Sequence, residues 1–416
     1  MTVPGDKSIS HRSVFFGSIA EGTTEVTGFL EGEDNLSTIS AFSLMGVDIT
    51  RNADRVTIHG KGLTGLSEPA DIINAGNSGT TTRLLVGLLS SLPFFSVITG
   101  DASLRGRPMK RVVSPLLKMG ASIAGRKEAS LLPLAITGKK LKGMRFESPI
   151  ASAQLKSAIL LAGLNAEGET TVIEPEKSRD HTERMLRLFG ADLSVSGNAV
   201  SVRSTKTLAG CKIEVPGDIS SAAFFLVGAA LTQGSELLIK NVGVNPTRVG
   251  IIDVLKKMGG SIEVRGAREA SGEPVADLLV RSSSLKGAVI TGSELLPAID
   301  EFPIICVAAA FADGTTTIAG AGELRVKESD RIAVMAECLS AIGVKNEERP
   351  DGIVIEGTGG KPVKGGTIRS HGDHRIAMSM AMAAINSIDG IQIEGASSVD
   401  VSFPGFFRAL GEVTIA

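Results

Sequence analysis

Six segments of the chain combine small and apolar residues with few charges, and most of them end at a glycine. This pattern is typical of helices that are buried on all sides. A run rich in β-branched residues accompanies each segment and predicts a strand. A second, amphipathic helix is predicted after each strand. The six apolar segments are residues 12–22, 80–92, 154–168, 220–234, 303–314 and 375–390.

Each second helix closes on a large apolar residue followed by glycine, which predicts a left-handed C-cap at the glycine. Two short strands around a polar turn come after five of these six caps, and the last repeat simply ends. The pattern therefore recurs about every 70 residues. The six cap glycines are Gly46, Gly120, Gly190, Gly259, Gly343 and Gly411.

Six alternating repeats over 416 residues predict an α/β protein with two domains of three repeats each, because a single core rarely grows this large. Part of the strand pairing is expected to be parallel. We expect the apolar helices to lie inside each domain and the sheets outside. The boundary is predicted near Pro216, where the third repeat closes.

Composition excludes several classes of protein. The net charge is −2 and neither Trp nor Tyr is present, which argues against a nucleic-acid partner. No apolar run reaches the ~18 residues of a membrane span, so a cytoplasmic location is expected. Three distant cysteines and five histidines lack disulfide or metal-ligand spacing. No metal and no cofactor are therefore predicted.

Charges of both signs crowd residues 324–331, between a predicted strand and a predicted helix. Such a mixture suits a site that binds an anion and moves a proton. If the helix begins near Lys327, then Lys327 and Arg331 share a face and Glu328 points to the same cleft. The alternative is a solvated charged turn with local ion pairs.

Polar residues also cluster where the apolar helices begin, and helix N-termini favour anions. Lys7, Ser8 and Arg12 stand before the first helix, with a capping turn at Ser10 as the alternative. The glycine-rich stretch 74–83 contains Asn77 and Gly79 and lacks the closing residues of a Walker A loop. A plain turn is its alternative.

The remaining clusters are less specific. Residues 100–111 are strongly basic, which a solvated surface would also explain. Residues 152–157 begin an apolar helix and residues 178–182 begin the next helix. In the second half, Asp300 is a candidate catalytic residue with an N-cap as the alternative, although one residue can serve both roles, and residues 372–375 carry Arg375.

Together, these motifs resemble the 5-enolpyruvylshikimate-3-phosphate synthase family, in particular its bacterial group with SAQ and RDHTE, known as class II. The resemblance spans residues 4 to about 407. It rests on PGDKSISHR (4–12), GNSGTTTRL (76–84), SLRGRPMKR (103–111), SAQLKSAILLAGL (152–164), SRDHTERML (178–186), DEFPIICVAAAFADG (300–314), LRVKESDR (324–331) and GDHRIAM (372–378).

The resemblance implies two domains, each built from three βαβαββ units, joined by a hinge that the chain crosses twice. Residues 9–215 are then one domain, residues 1–8 with 216–416 the other, and the active site lies in the cleft between them. The implied reaction transfers the carboxyvinyl group of phosphoenolpyruvate to the 5-hydroxyl of shikimate 3-phosphate and releases phosphate. It proceeds by addition and elimination through a tetrahedral intermediate.

The resemblance also implies roles for single residues. The residues expected to hold shikimate 3-phosphate are Lys7, Ser8, Arg12, Ser152, Ala153, Gln154, Arg179, Asp300 and Lys327. The residues expected to hold phosphoenolpyruvate are Lys7, Asn77, Gly79, Arg111, Gln154, Arg331 and Arg375. Asp300 is expected to be the base on the 5-hydroxyl, and Glu328 with Lys7 to carry the proton of the methylene carbon.

Two departures accompany the resemblance. Many members have a lysine where this chain has Val401, and members usually begin with a further strand before the PGDKS motif. A missing strand would weaken the segment that presents Lys7. The resemblance further implies a monomer with small-molecule partners only, and glyphosate as an inhibitor.

Two other functions are compatible with the same fold. UDP-N-acetylglucosamine carboxyvinyltransferase shares the fold but uses a loop cysteine, and residues 100–111 contain none. An inactive anion-binding protein of the same fold would be expected to have lost Asp300 or Glu328, and both are present.

Overall fold

The structure is a computed structural model that describes residues 1–414. The chain forms two compact units. The N-terminal unit comprises Gly5–Val215 with the short segment Ala270–Glu273. The C-terminal unit comprises Met1–Pro4, Pro216–Glu269 and the residues from Pro274 onward. The N-terminal unit begins at Gly5, and its first helix includes Lys7 and Ser8, which the predicted division at residue 9 assigns to the other domain.

The N-terminal unit contains seven α-helices and one 3₁₀ helix, Leu104–Gly106, among the described residues. Six pack as regular helices, and α5 is a single turn in which Lys127 and Glu128 have left-handed backbone angles. The helices are α1 Lys7–Ile19, α2 Glu33–Leu44, α3 Gly79–Leu89, α4 Lys110–Lys118, α5 Arg126–Ala129, α6 Ala153–Gly163 and α7 His181–Leu188.

Three four-stranded sheets of this unit each contain one parallel pair and two antiparallel pairs, in the orders β12-β1-β3-β2, β4-β5-β7-β6 and β10-β11-β9-β8. The strands are β1 Glu21–Thr27, β2 Asp48–Asn52, β3 Arg55–Lys61, β4 Ile73–Asn74, β5 Phe95–Thr99, β6 Ser122–Gly125, β7 Leu131–Thr137, β8 Arg145–Glu147, β9 Glu169–Ile173, β10 Leu193–Ser196, β11 Ala199–Arg203 and β12 Lys212–Glu214.

The C-terminal unit repeats this plan with helices on the inside. Its helices are α8 Ile219–Leu231, α9 Gly250–Lys257, α10 Gly292–Leu295, α11 Phe302–Phe311, α12 Arg331–Ala341, α13 His374–Ala384 and α14 Phe406–Val413. Its strands are β13 Glu236–Gly243, β14 Ser261–Ala270, β15 Glu273–Arg281, β16 Val289–Ile290, β17 Thr315–Ile318, β18 Asn346–Arg349, β19 Gly352–Glu356, β20 Gly366–Arg369 and β21 Ile391–Glu394.

The three sheets of the C-terminal unit differ in size. Their orders are β13-β15-β14, β16-β17-β19-β18 and the parallel pair β20-β21. Thr2 bridges Lys240 of β13 in parallel, so the first residues of the chain extend the first sheet. After β21 the chain continues through a 3₁₀ helix, Ala396–Val401, into α14, so the last described repeat is the smallest.

The predicted helices inside each unit are confirmed. Every residue of α11 is buried, and so is every residue of α8 except its last. The α/β fold with βαβαββ repeats and outer sheets is therefore confirmed. Helices of this composition have no polar face, so only a position between the sheets removes their whole surface from water.

Five of the six predicted cap glycines have the expected backbone geometry, with φ between 84° and 97° at Gly46, Gly120, Gly190, Gly259 and Gly343. The sixth prediction was wrong. Gly411 lies inside α14, which continues to Val413. The large-apolar-plus-glycine pair does not stop a helix by itself; the first five helices stop because the chain turns there into a strand.

Candidate active site

Polar side chains cap the buried helices of the N-terminal unit. Asp6 accepts a hydrogen bond from the Ile9 amide at 2.9 Å and begins α1. Ser78 accepts from the Thr81 amide at 3.1 Å and begins α3. Ser152 begins α6. Asp6 rather than Ser10 is thus the cap of α1, because Ser10 already lies inside that helix.

Lys7 and Arg12 lie on α1, and each side chain contacts polar groups outside that helix. Nζ of Lys7 lies 2.5 Å from Oδ2 of Asp34. Arg12 is buried, and its Nε donates to Oγ1 of Thr182 at 2.7 Å. Its Nη2 donates to Oγ of Ser157 at 3.0 Å, and its Nη1 to the Ser8 carbonyl at 3.0 Å. These bonds join the N-terminal parts of α1, α6 and α7.

Burial lowers the pKa of Arg12 to about 10, and the neighbouring Arg179 adds to this effect while Glu183 opposes it. The guanidinium nevertheless stays protonated at neutral pH. A buried cation has lost the stabilisation that water gives to its charge. An anionic ligand can replace that stabilisation, so a buried cation favours the binding of an anion.

A second polar group joins α3 to α6. Nη1 of Arg83 donates to Oε1 of Gln154 at 2.6 Å, and Nε2 of Gln154 donates to Oγ1 of Thr80 at 3.0 Å. Asn77 donates to Oδ2 of Asp101 at 2.6 Å and accepts from Arg107. Arg107 is buried, although the basic stretch around it is exposed at most other positions.

The other predicted residues of this unit lie at the starts of its helices. Ala153 is the first residue of α6, Gly79 the first of α3, and Arg111 the second of α4. Arg179 precedes α7 and is half-buried. The residues predicted from the sequence in this unit thus come from the N-terminal ends of α1, α3, α4, α6 and α7.

In the C-terminal unit, Arg331 lies among three carboxylates. Its Nε donates to Oδ2 of Asp373 at 2.8 Å and its Nη2 to Oε2 of Glu328 at 2.7 Å. Its Nη1 lies 3.6 Å from Oδ1 of Asp300. Arg331 and Asp373 are fully buried, whereas Asp300 and Glu328 keep 13% and 22% of their side chains exposed.

Burial alone would lower the pKa of Arg331, but Asp373, Glu328 and Asp300 raise it above its ordinary value. Burial would raise the pKa of Asp373, and Arg331 instead holds it below its usual range. Both groups are therefore charged. Asp300 and Glu328 both contact this guanidinium and remain partly accessible.

Arg375 also belongs to this group. Its Nη1 donates to the Asp300 carbonyl at 3.1 Å, and its Nη2 lies 3.9 Å from Oδ2 of Asp300. Asp373 caps α13 by accepting from the Arg375 amide at 3.0 Å. Asp300 does not cap α11, since Glu301 occupies the N-cap position. The N-cap alternative for Asp300 is therefore wrong.

The charged stretch 324–331 does not form the predicted helical start. Residues Gly322–Val326 are a 3₁₀ helix, and α12 begins only at Arg331 with Asp330 as its cap. The face shared by Lys327 and Arg331 is therefore absent, because Asp330 caps the helix there. Nζ of Lys327 instead lies 2.6 Å from Oε1 of Glu323.

Several partners in these groups were not predicted from the sequence. Asp34 belongs to no predicted set, and Arg83, Arg107 and Asp373 appeared only as parts of the stretches 74–83, 100–111 and 372–375. These residues become informative only when the structure shows which charged side chains they contact. Among residues 1–414, no group of three or more metal-ligating side chains is found, and no helix is long and apolar enough to cross a membrane.

The chain matches one known family over almost its whole length. The family described as EPSP synthase (3-phosphoshikimate 1-carboxyvinyltransferase) matches residues 1–410. The chain belongs to the EPSP synthase family.

Curated relatives and solved structures agree with the family. The 3-phosphoshikimate 1-carboxyvinyltransferase of Geobacter metallireducens is 57% identical over 413 residues, which cover 99% of this chain and 96% of the relative. That of Desulforudis audaxviator is 53% identical over 414 residues, covering 99% and 96%. A solved EPSP synthase from Acinetobacter baumannii is 53% identical with a TM-score of 0.88, covering 99% and 95%.

Proposed function

We propose that this EPSP synthase family member transfers the carboxyvinyl group of phosphoenolpyruvate to the 5-hydroxyl of shikimate 3-phosphate and releases phosphate. The observation that carries the proposal is the family match over residues 1–410. This reaction is a step of the shikimate pathway, which supplies aromatic amino acids. Both substrates are polyanions, and the two groups of predicted residues are rich in arginine and lysine.

The N-terminal unit supplies most of the proposed binding residues for shikimate 3-phosphate. Arg12, buried and protonated, pairs with the ring substituents together with Ser8. The amide and hydroxyl groups at the start of α6 suit a phosphate, since a helix N-terminus presents unpaired N–H groups and a positive dipole end. Arg179 adds a second charge. The set is Lys7, Ser8, Arg12, Ser152, Ala153, Gln154 and Arg179, with Asp300 and Lys327 from the C-terminal unit.

Phosphoenolpyruvate is proposed to bind to Arg111, Arg331 and Arg375, together with Lys7, Gln154, Asn77 and Gly79. The Nε of Arg111 is buried and has no hydrogen-bond partner within residues 1–414, which suits an anionic ligand. Arg331 and Arg375 both contact Asp300. The proposed phosphoenolpyruvate site and the proposed base, Asp300, therefore belong to one group of side chains.

In the proposed mechanism, the Asp300 carboxylate takes the proton of the 5-hydroxyl while the oxygen of that hydroxyl attacks C2 of phosphoenolpyruvate. Glu328, acting with Lys7, supplies the proton that the methylene carbon gains, giving the tetrahedral intermediate. Loss of phosphate, which takes up the proton held by Asp300, and return of a methyl proton to Glu328 then restore the double bond and both carboxyl groups. The partial exposure of Asp300 and Glu328 supports these roles.

The alternative acceptor, a UDP-N-acetylglucosamine, is not favoured. Residues 100–111 contain no cysteine, and the three cysteines lie elsewhere at Cys211, Cys306 and Cys338. We further propose that glyphosate occupies the phosphoenolpyruvate region beside Gly79. The monomeric state and the cytoplasmic location remain predictions. Light scattering checks the former, since a monomer has the 43.0 kDa mass of one chain.

The decisive test is phosphate release by the purified protein with shikimate 3-phosphate and phosphoenolpyruvate together. Each substrate alone is the control for hydrolysis, and UDP-N-acetylglucosamine in place of shikimate 3-phosphate is the control for the alternative. Release only with the first pair is expected. Release with the nucleotide sugar, or no release with any pair, would overturn the proposal.

A further inference from the structure

Three ionisable side chains lie together in the interior of the N-terminal unit, close to the start of α6. Nζ of Lys156 is 2.8 Å from Oε2 of Glu174 and 2.7 Å from Oε1 of Glu183. The exposed fractions of the three side chains are only 1%, 2% and 3%. They come from α6, from the residue after β9, and from α7, and we call them the buried triad.

A structural role alone does not explain the buried triad. Removing charges from water costs several kcal/mol per ion, and apolar residues of similar volume often stabilise a fold as well or better. The surrounding core of this unit is built from such apolar residues. Charged groups kept at such a cost are better explained by what they hold in place.

Glu174 holds two neighbouring segments of chain through one carboxylate. Its Oε1 accepts from the Ser152 amide at 3.0 Å and from Oγ of Ser178 at 2.6 Å. Its Oε2 accepts from the Ser178 amide at 3.3 Å. Ser152 directly precedes Ala153, and Ser178 directly precedes Arg179. The carboxylate thus ties together both segments that carry the proposed phosphate-binding groups.

The other two members act on Arg12 through their chain neighbours. Ser157, next to Lys156, accepts from Nη2 of Arg12, and Thr182, next to Glu183, accepts from Nε of Arg12. The two hydroxyls also lie 2.6 Å apart. The triad carries a net charge of −1 when all three groups are ionised, and this charge favours the buried guanidinium of Arg12.

We propose that Lys156, Glu174 and Glu183 are positioning residues that hold Ser152, Arg179 and Arg12 in the geometry that binds shikimate 3-phosphate. This inference rests on the proposed function. In this proposal the triad acts through the residues on either side of it, and not by binding the substrate itself. Loss of the triad should therefore weaken the binding of shikimate 3-phosphate and leave the binding of phosphoenolpyruvate nearly unaffected.

The test is Glu174→Gln, which keeps the shape of the side chain and removes its charge. Calorimetric titration with shikimate 3-phosphate should show a dissociation constant raised about 10- to 100-fold, the scale of a lost charged hydrogen-bond network. The KM for phosphoenolpyruvate should change less than about threefold. The matched control is Glu167→Gln, whose carboxylate pairs with Lys140 at 2.7 Å on the surface of the same unit; wild-type constants are expected.

A milder variant covers the case in which Glu174→Gln does not fold. Ser178→Ala removes only the 2.6 Å hydroxyl donor to Glu174, and a smaller rise of about 3- to 10-fold in the same dissociation constant is expected. A lowered Tm with wild-type binding of shikimate 3-phosphate would reduce the triad to a structural element and overturn the inference. Failure of the wild-type protein to release phosphate would instead overturn the proposed function.

Discussion

Nη1 of Arg83 donates a 2.6 Å hydrogen bond to Oε1 of Gln154, and the same nitrogen lies 2.9 Å from the point where a Cβ on Gly79 would stand. Gly79 does not have a positive φ, so alanine is compatible with its backbone. A methyl group there would press on the end of the Arg83 side chain, which must shift to admit it.

Gly79→Ala should therefore reduce the space beside the proposed phosphoenolpyruvate site without straining the loop. Glyphosate is longer than phosphoenolpyruvate and is expected to lose more affinity. A clash of one methyl group costs about 1–3 kcal/mol, or roughly 5- to 150-fold in affinity. The inhibition constant of glyphosate against phosphoenolpyruvate, measured for both proteins, checks this.

The control for this substitution is Gly106→Ala, where an added Cβ has open space around it. Unchanged constants are expected for that variant. If Gly79→Ala weakened glyphosate and phosphoenolpyruvate equally, the effect would have reached both ligands through the hydrogen bond between Arg83 and Gln154, and the steric explanation would fail.

Removing the charge of either proposed proton carrier should abolish most turnover. Asp300→Asn and Glu328→Gln should each lower kcat by at least ~10²-fold, the usual scale for general acid–base groups. Binding of shikimate 3-phosphate should largely persist, because the other residues proposed to hold it, including the buried Arg12, are unchanged in both variants.

Calorimetry and steady-state kinetics on the same preparations separate these effects. The control is Glu356→Gln, since the carboxylate of Glu356 is exposed and forms a 3.5 Å ion pair with Lys345 on the surface of the same unit. Near-normal turnover in either proton-carrier variant would exclude that residue from the proposed mechanism.

The buried His11 makes the N-terminal unit less stable in mild acid. Burial, reinforced by Lys7 and Arg12, holds the pKa of His11 well below its ordinary 6.5. Below pH 6.5 the unfolded chain binds a proton that the folded chain does not. The contribution of this group to the free energy of unfolding is therefore fully present above pH 6.5. It decreases as the pH is lowered below 6.5, by up to about 1.4 kcal/mol per pH unit.

Urea unfolding between pH 7.5 and 5.5 measures this slope. His11→Asn preserves a polar side chain facing Thr38, which lies 2.7 Å from Nδ1 of His11, and should give a shallower slope below pH 6.5. Identical slopes for the two proteins would show that other groups cause the acid sensitivity.

Close packing of α3 against α6 depends on Gly87. A Cβ there would stand 2.1 Å from the carbonyl oxygen of Ala158, and a helix backbone cannot rotate away. Gly87→Ala should lower the free energy of unfolding by at least about 1–3 kcal/mol. Gly106→Ala is the matched control and should unfold at the wild-type urea concentration; equal midpoints for all three proteins would contradict the packing argument.

The three cysteines should be unreactive in the native protein. Burial raises the pKa of Cys211 to about 11, that of Cys338 to about 12, with Glu337 adding to the latter, and that of Cys306 well above its ordinary value. Few thiolates therefore exist at pH 8. Iodoacetamide should label the urea-unfolded chain three times and the native chain hardly at all, with phosphate release unchanged. Rapid inactivation would point to a thiol in the site.

The repeat, the fold class and the family could all be predicted from the residues alone. Apolar helices such as α8 and α11 were visible because their whole surface is buried, so every position along them is constrained. Cap glycines such as Gly46 were visible because a left-handed residue is a local requirement. The stop predicted at Gly411 failed because the end of a helix also depends on the residues after the glycine.

Which charges meet could be read only from the folded chain. Arg331 and Asp373 are 42 residues apart, and Arg12 and Ser157 are 145 apart. The buried triad brings together Lys156, Glu174 and Glu183 from three elements, and the sequence does not show that these three charges are partners. The energy of an ion pair depends on distance and on exclusion of water, and both are set by how the helices pack.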